Sequence, residues 1–502
     1  MNNKRLIQTM LSSGLAVLIG YAINFTVTPY ITENLGVDVY GFVSLANTFT
    51  SYAGIVTLAL TAFVVRYISV AYHENDMKTA GEYYSSSIFA CTMLTAILFV
   101  ICLVIVANLQ VFLKIPTEIV DSVKVLFLIV FLNFSIVTMT TPFGTSAYIK
   151  NRLDITGYIR SFSKIIEAAV IVLLFLVFAP KVWFVAVGAV VASLITLLLS
   201  CTLTKKLTPE LRFSKDCVCL AKIKNLFKNG LWSSVNQLGN VLNSGLDLLV
   251  ANLMLSPIQT GQIAVAKTIG TIFATLFQTI SQPFEPILLK SYAQGDKNEF
   301  FQSIRKAMLI CGFFGAVAFA GFFALGKVYY TLWMPSQDAK LLHKLTVLTI
   351  FNYITDSILR PVYYINTLTV KNKIPCYVTI VGGLLNVVFM FILIQYTELG
   401  VYAVVLTTAV IMVGINLFFN PVYAAQCIQI KASSFYLILV RHILACMVMC
   451  FVFRLIAMWI QPMSWLALVF GAGIMVMVGA VLYTLINCDL KELLEAVTIH
   501  KK

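Results

Sequence analysis

Charge is scarce in this 502-residue chain: 11% of its residues are Asp, Glu, Lys or Arg, while 60% are hydrophobic. Soluble domains carry about 25% charged and 45–50% apolar residues. With a mean hydropathy of +0.92, a water-soluble core could not hide so much apolar surface, and lipid is the expected solvent. Histidine is sparse, with four scattered copies at 73, 343, 442 and 500, and no Cys-x-x-Cys occurs among the eleven cysteines. Cys91, Cys102, Cys201, Cys311, Cys446 and Cys450 fall in apolar runs, where they read as small buried hydrophobes; a metal or disulfide framework is not expected. No Gly-x-x-x-x-Gly-Lys-Ser/Thr is present, so the chain carries no nucleotidase of its own.

What remains is hydrophobic length. A bilayer core takes about 20 apolar residues per helix. Runs of that kind lie near 11–32, 40–66, 84–107, 121–146, 155–178, 182–203, 226–254, 263–288, 305–330, 342–368, 376–396, 400–423, 437–458 and 465–486. They are continuous rather than alternating, which indicates helices and not a barrel. The first run has the basic head of a signal peptide, but no small-residue cleavage pattern ends it, so it reads as a retained helix. With the N-terminus in the cytoplasm, inside segments hold 24 of the 35 lysines and arginines, seven of them between Lys205 and Lys228. The positive-inside rule then supports fourteen spans with both ends cytoplasmic. The net charge of +14 is thus mostly topology, and nucleic-acid binding has no soluble domain to stand on. The longest outer loops, near 108–120 and 329–341, are too short to hold an acceptor for a polymerase or ligase, so an enzyme is not expected.

A shift of about 220 residues superimposes two halves. Leu35, Gly41, Ala46 and Thr48 match Leu255, Gly261, Ala266 and Thr268; Tyr72 and Asp76 match Tyr292 and Asp296; Pro142 matches Pro361; and Lys150-Asn151-Arg152-Leu153 matches Lys371-Asn372-Lys373-Ile374. The expected organisation is an all-α membrane protein. It has a six-helix lobe at 1–203, a basic cytoplasmic linker at 204–225, a second six-helix lobe at 226–423, and two further helices with a tail at 424–502. Six is even, so both lobes insert the same way up, as in transporters that bind between halves and rock.

Ionisable groups inside spans cost about 2.5–3.5 kcal/mol on insertion scales and normally face a wet cavity or a partner. Arg160, Lys164 and Glu167 in span five are spaced four and three, on one helical face, and Lys164 is placed to pair with Glu167. Asp356 and Arg360 in span ten are four apart, with Pro361 next, a residue that frees a carbonyl and kinks helices. Asp247 sits in span seven within Asn243-Ser244-Gly245-Leu246-Asp247, Lys267 in span eight at the repeat position of Asn47, and Arg66 at the end of span two. The basic groups Arg66, Arg160, Lys164, Lys267 and Arg360 outnumber the acids Glu167, Asp247 and Asp356. A cavity so lined attracts an anion such as a phosphate or pyrophosphate. The competing role for each is an ion pair that fixes packing, or a side chain snorkelling to the interface.

The stretch Pro29-Tyr30-Ile31-Thr32-Glu33-Asn34-Leu35-Gly36-Val37-Asp38-Val39-Tyr40-Gly41-Phe42-Val43-Ser44-Leu45-Ala46 resembles the polysaccharide-biosynthesis flippases. In that family a helix-one proline precedes a Leu-Gly-x-x-x-Tyr-Gly-x-x-x-Leu-Ala turn. The resemblance implies two six-helix lobes around a V-shaped cavity plus two terminal helices, in a superfamily shared with the lipid II flippase and the multidrug and toxin extruders. It implies transfer of an undecaprenyl-diphosphate-linked oligosaccharide across a bacterial cytoplasmic membrane, beside a polysaccharide polymerase and export machinery. It also implies no cofactor beyond a coupling proton or sodium ion. On that basis Arg66, Arg160, Lys164, Lys267 and Arg360 are expected at the diphosphate, and Glu167, Asp247 and Asp356 at the coupling cation. A cation extruder of the same fold would want an acidic cavity, which the basic excess opposes.

Overall fold

The computed structural model describes residues 3–369 and 371–487, with side chains for 12 and from 14 onward. The side chains of Lys4 and Arg5, and His500, Lys491, Lys501 and Lys502, lie outside the described residues. Every regular element among the described residues is helical. The first part of the chain forms α1 (Asn3–Asn34), α2 (Val37–Thr61), α3 (Val64–His73), α4 (Met77–Ala107), the short α5 (Leu109–Phe112), α6 (Val120–Thr140), α7 (Thr145–Ile149), α8 (Leu153–Val177), α9 (Phe184–Leu207), α10 (Leu220–Asn240) and α11 (Asp247–Met254). Then follow α12 (Pro257–Ser281), α13 (Phe284–Ala293), α14 (Lys297–Trp333), α15 (Ala339–Ile350), α16 (Tyr353–Leu368), α17 (Lys373–Tyr396), α18 (Val401–Gly414), α19 (Asn420–Ile428), α20 (Ser433–Ile460) and α21 (Trp465–Asn487).

Eleven helical segments among the described residues are long and apolar enough to cross a membrane. The other three expected spans are helical too, but they are the ones that carry the charges or breaks. These are α8 with Arg160, Lys164 and Glu167; α10–α11, interrupted by a π-turn at Val241–Gly245; and α15–α16, interrupted at Phe351–Asn352. Pro361 does not end its helix: α16 runs through it, and the break lies ten residues earlier.

The 220-residue repeat reappears in the element boundaries. α2 and α3 span 37–61 and 64–73, and α12 and α13 span 257–281 and 284–293; α4 begins at 77 and α14 at 297; α8 begins at 153 and α17 at 373. Both long spans are therefore broken at the same place, before Phe63 in one half and Pro283 in the other. The matched aspartates are repeated N-caps. Asp76 accepts from the Thr79 N–H at 3.0 Å, and Asp296 from those of Asn298 and Glu299 at 2.8 and 3.2 Å. The Thr79 bond holds the Asp76 carboxyl below its ordinary pKa. Asn75 and Gly295, each just before its cap, both take left-handed backbone.

The Leu-Gly motif is the turn from α1 to α2. Gly36 has φ +103°, and a Cβ there would meet Asp38 Oδ1 at 2.5 Å, so glycine is the residue that fits. Tyr40 is buried and Leu45 and Ala46 are fully buried, which anchors the start of α2.

The chain forms two compact units, 1–261 and 262–502. In the first, α8 lies between α1 and α9, α6 packs on α4 and α9, and α10 runs along α2. A core of Leu60, Val64, Ile68, Tyr83, Tyr84 and Leu226 sits among α2, α3, α4 and α10. In the second, α14 is the hub for α15, α16, α20 and α21. His442 on α20 ties to Ile354 O (2.8 Å) and Tyr483 Oη (3.0 Å). The described cysteines are free thiols, buried or half-buried.

Candidate functional site

In the first unit, α8 is held by small residues on two sides. Ser161 donates to Ser12 O on α1 at 2.9 Å, and Thr196 Oγ1 on α9 lies 2.9 Å from Ser163 Oγ. That leaves a third face for Arg160, which is exposed and lines a cavity of about 470 Å³. The cavity wall is rich in hydroxyls: Thr140, Thr141, Tyr148 and Thr156 on one side, Ser193, Thr196 and Ser200 on the other. Thr140, Thr156 and Thr196 donate to carbonyls of their own helices, at 2.8, 2.7 and 2.9 Å, and Ser193 to Asn133 Oδ1 at 2.6 Å. The protons of these four are spent, so what they offer the cavity is acceptor lone pairs, while Thr141, Tyr148 and Ser200 add further hydroxyls. One guanidinium beside a hydroxyl-rich wall suits a ligand with an anionic group and many hydroxyls.

One turn along α8, Lys164 and Glu167 form the expected pair at 2.6 Å, with the carboxylate buried. Arg66 is on α3 beyond the break, exposed, its guanidinium 6.0 Å from the Phe63 ring. It lines a second cavity of about 640 Å³ with Ser69, His73 and Glu74. Val65 and Tyr148 line both cavities, so Arg66 and Arg160 stand on neighbouring hollows with a shared wall. Next to Tyr148, Lys150 Nζ donates to Tyr72 Oη at 2.8 Å, which raises the lysine pKa above its ordinary value. Asp247 is buried as the first residue of α11, directly after the π-turn. Tyr52 reaches that turn, donating to Gly245 O at 2.9 Å.

In the second unit, Asp356 Oδ2 lies 2.9 Å from both Nε and Nη2 of Arg360. The pair belongs to a network that sequence reasoning did not find. Tyr363 Oη is 3.1 Å from Asp356 Oδ1 and 3.0 Å from Asn416 Oδ1; Asn416 Nδ2 donates to Thr355 at 3.1 Å, and Asn420 donates to Asn416 at 2.9 Å. Asn416 lies in a π-turn, Ile415–Phe419. The available signal was spacing: Tyr363 is seven residues from Asp356, two turns along the same face. Lys267 is half-buried on α12. Five of the eight expected residues thus belong to the first unit and Lys267, Asp356 and Arg360 to the second. No group of three or more His, Cys, Asp or Glu among the described residues is placed to hold a metal ion.

Comparison with known proteins agrees with this architecture. A family described as polysaccharide biosynthesis protein matches residues 6–290. An uncharacterized membrane protein, EpsK of Bacillus subtilis (strain 168), is 30% identical over 421 residues, covering 84% of this chain and 83% of its own. Among solved structures, the lipid II flippase MurJ in an inward closed conformation shares the fold with a TM-score of 0.68 at 14% identity, over 97% of this chain and 98% of that one. An inward-facing multidrug resistance MATE transporter of the MOP superfamily aligns with a TM-score of 0.63 at 15% identity, over 85% and 97%. These solved relatives are a flippase and a transporter, not enzymes. With its many apolar helices, the chain is a multi-pass membrane protein, and it belongs to the polysaccharide biosynthesis protein family.

Proposed function

We propose that the protein moves an undecaprenyl-diphosphate-linked oligosaccharide from the cytoplasmic to the outer leaflet of the bacterial cytoplasmic membrane, by alternating access between lobes at 1–203 and 226–423. The observation that carries this reading is the Arg160 cavity, in a chain of the polysaccharide biosynthesis family. A diphosphate cannot cross hydrocarbon unaided. A guanidinium can replace its hydration, and a wall of hydroxyls suits sugar O–H groups. Arg66, on the adjoining hollow, and Lys164 are further cations for the substrate in the same unit, and Lys267 and Arg360 are those the other unit contributes. Glu167, Asp247 and Asp356 are the acids for a coupling proton or sodium ion, and two of them lie against a cation, Lys164 or Arg360. A polysaccharide polymerase and export machinery are the downstream partners.

The test is a leaflet assay: protein in liposomes with a fluorescent undecaprenyl-diphosphate oligosaccharide, and a membrane-impermeant quencher outside. Wild type should expose the label, and Arg160→Ala should slow exposure at least tenfold while still inserting. Undiminished movement in Arg160→Ala would remove this cavity from the path. No movement by wild type, together with drug efflux from cells, would replace the flippase reading by an extruder.

A further inference from the structure

Tyr148 is the one exposed residue of α7. The other four are buried: Thr145, Ser146 and Ala147 fully, and Ile149 almost so. This base is fixed. Ser146 and Thr208 share a hydrogen bond at 2.7 Å. The Arg152 N–H donates to Ala147 O at 2.7 Å, and Asn151 takes left-handed backbone to turn the chain into α8. On this support Tyr148 stands 56% exposed, and among the described residues its side chain has no ring or hydrogen-bond partner. The internal repeat does not call for a ring here either. The Lys150-Asn151-Arg152 turn recurs as Lys371-Asn372-Lys373, and two residues before it the second half has Thr369. The fold thus neither buries this aromatic side chain nor repeats it.

Its place suggests the ligand. Tyr148 lines both the Arg160 cavity and the Arg66 cavity. A diphosphate held by either guanidinium brings the sugar bonded to it to the wall that the two hollows share. The faces of a pyranose ring present C–H bonds, and their partial positive charge is drawn to the negative face of an aromatic ring. A phosphate meets that same face with the wrong sign of charge. A tyrosine also has few torsions to freeze, so it presents this surface at a low entropy cost. We propose that Tyr148 is a specificity-determining residue that stacks on the sugar next to the diphosphate; the proposal rests on the flippase reading above. The arginines hold the phosphates, which every undecaprenyl diphosphate carries, whereas the ring holds only a glycosylated one. Tyr148 therefore lets the protein tell a loaded carrier lipid from an empty one.

The full-length protein in neutral detergent is titrated with two lipids, and bound lipid is counted by native mass spectrometry. One is undecaprenyl diphosphate carrying a single glucose, whose equatorial hydroxyls leave axial C–H bonds on both faces; the other is bare undecaprenyl diphosphate. Wild type should prefer the glucosylated lipid. Tyr148→Leu, with bulk but no π face, should bind that lipid about fivefold more weakly and the bare lipid unchanged. Tyr148→Phe should match wild type. Arg160→Ala should weaken both lipids alike. Tyr158→Leu, at an exposed tyrosine of α8 that lines neither hollow, should alter neither. An undiminished preference in Tyr148→Leu overturns the role of Tyr148 and leaves the flippase reading standing. A loss in Tyr148→Phe as large as in Tyr148→Leu also overturns it, because the hydroxyl and not the ring would then make the contact. Binding of neither lipid by wild type removes the flippase reading and this role with it.

Discussion

Two of the three acids placed inside the membrane have a basic partner three or four residues along the same helix: Glu167 with Lys164 and Asp356 with Arg360. Spacing alone makes such pairs legible, because residues at i+3 and i+4 share a face. It does not say whether the pair serves packing or cargo, and mutation separates the two. Asp356→Ala leaves a guanidinium, 21% exposed in the pair, with its partner gone and should cost about 3 kcal/mol of stability. The double change Asp356→Leu, Arg360→Met removes both charges and should recover most of that, since a buried pair replaced by apolar groups is often neutral. Thermal unfolding in detergent gives the first comparison and the leaflet assay the second. A double variant that is as stable as wild type but does not transport assigns the pair to cargo; one that transports normally reduces it to packing. The sequence hid Asn416, which holds Tyr363, the hydroxyl partner of Asp356. Asn416 lies 53 residues from Tyr363 and reaches it only through the packing of α16 on α19 and the neighbouring π-turn.

At the scale of elements, the repeat was visible as a handful of matched residues, and the structure supplies their reason. Asp76 and Asp296 cap equivalent helices, and Asn75 and Gly295 make the same left-handed turn before them. The breaks after Thr61 and Ser281 were not legible, because Ala62-Phe63 carries no turn chemistry in the first half; only Pro283 marks the second. Helix approach was equally hidden. α10 crosses α2 so closely that a Cβ on Gly230 would lie 1.9 Å from Ala59 O, whereas one on Gly20 meets nothing within 4 Å. Gly230→Ala should therefore force the helices apart at a cost of about 1–3 kcal/mol. Gly20→Ala, in a helix interior with open space, should gain roughly 0.5–1 kcal/mol. Paired unfolding measurements check both, and an unshifted Gly230→Ala would contradict the α2–α10 contact.

For the whole molecule the open quantity is the number of crossings. Composition and length single out eleven segments, and the fourteen-span reading adds α8, α10–α11 and α15–α16. The two counts place different parts of the chain on different sides. With fourteen crossings, the loop between α9 and α10 and the C-terminus both lie on the N-terminal side. With eleven, α8 does not cross and both move to the opposite side. Charge decides which is cheaper: the segment from Lys205 to Lys228 carries seven basic residues, and basic loops are retained in the cytoplasm. The charges that lower the apolarity of α8 are also largely neutralised within it, since Lys164 and Glu167 are paired, so its crossing costs less than a residue count implies. A fluorescent-protein fusion after Asp216, and another at the C-terminus, should therefore both fluoresce, and a phosphatase fused at either point should be inactive. The same phosphatase after Gln337, which both counts place outside, should be active. An active phosphatase after Asp216 would remove α8 from the membrane, and with it the Arg160 cavity from any transport path.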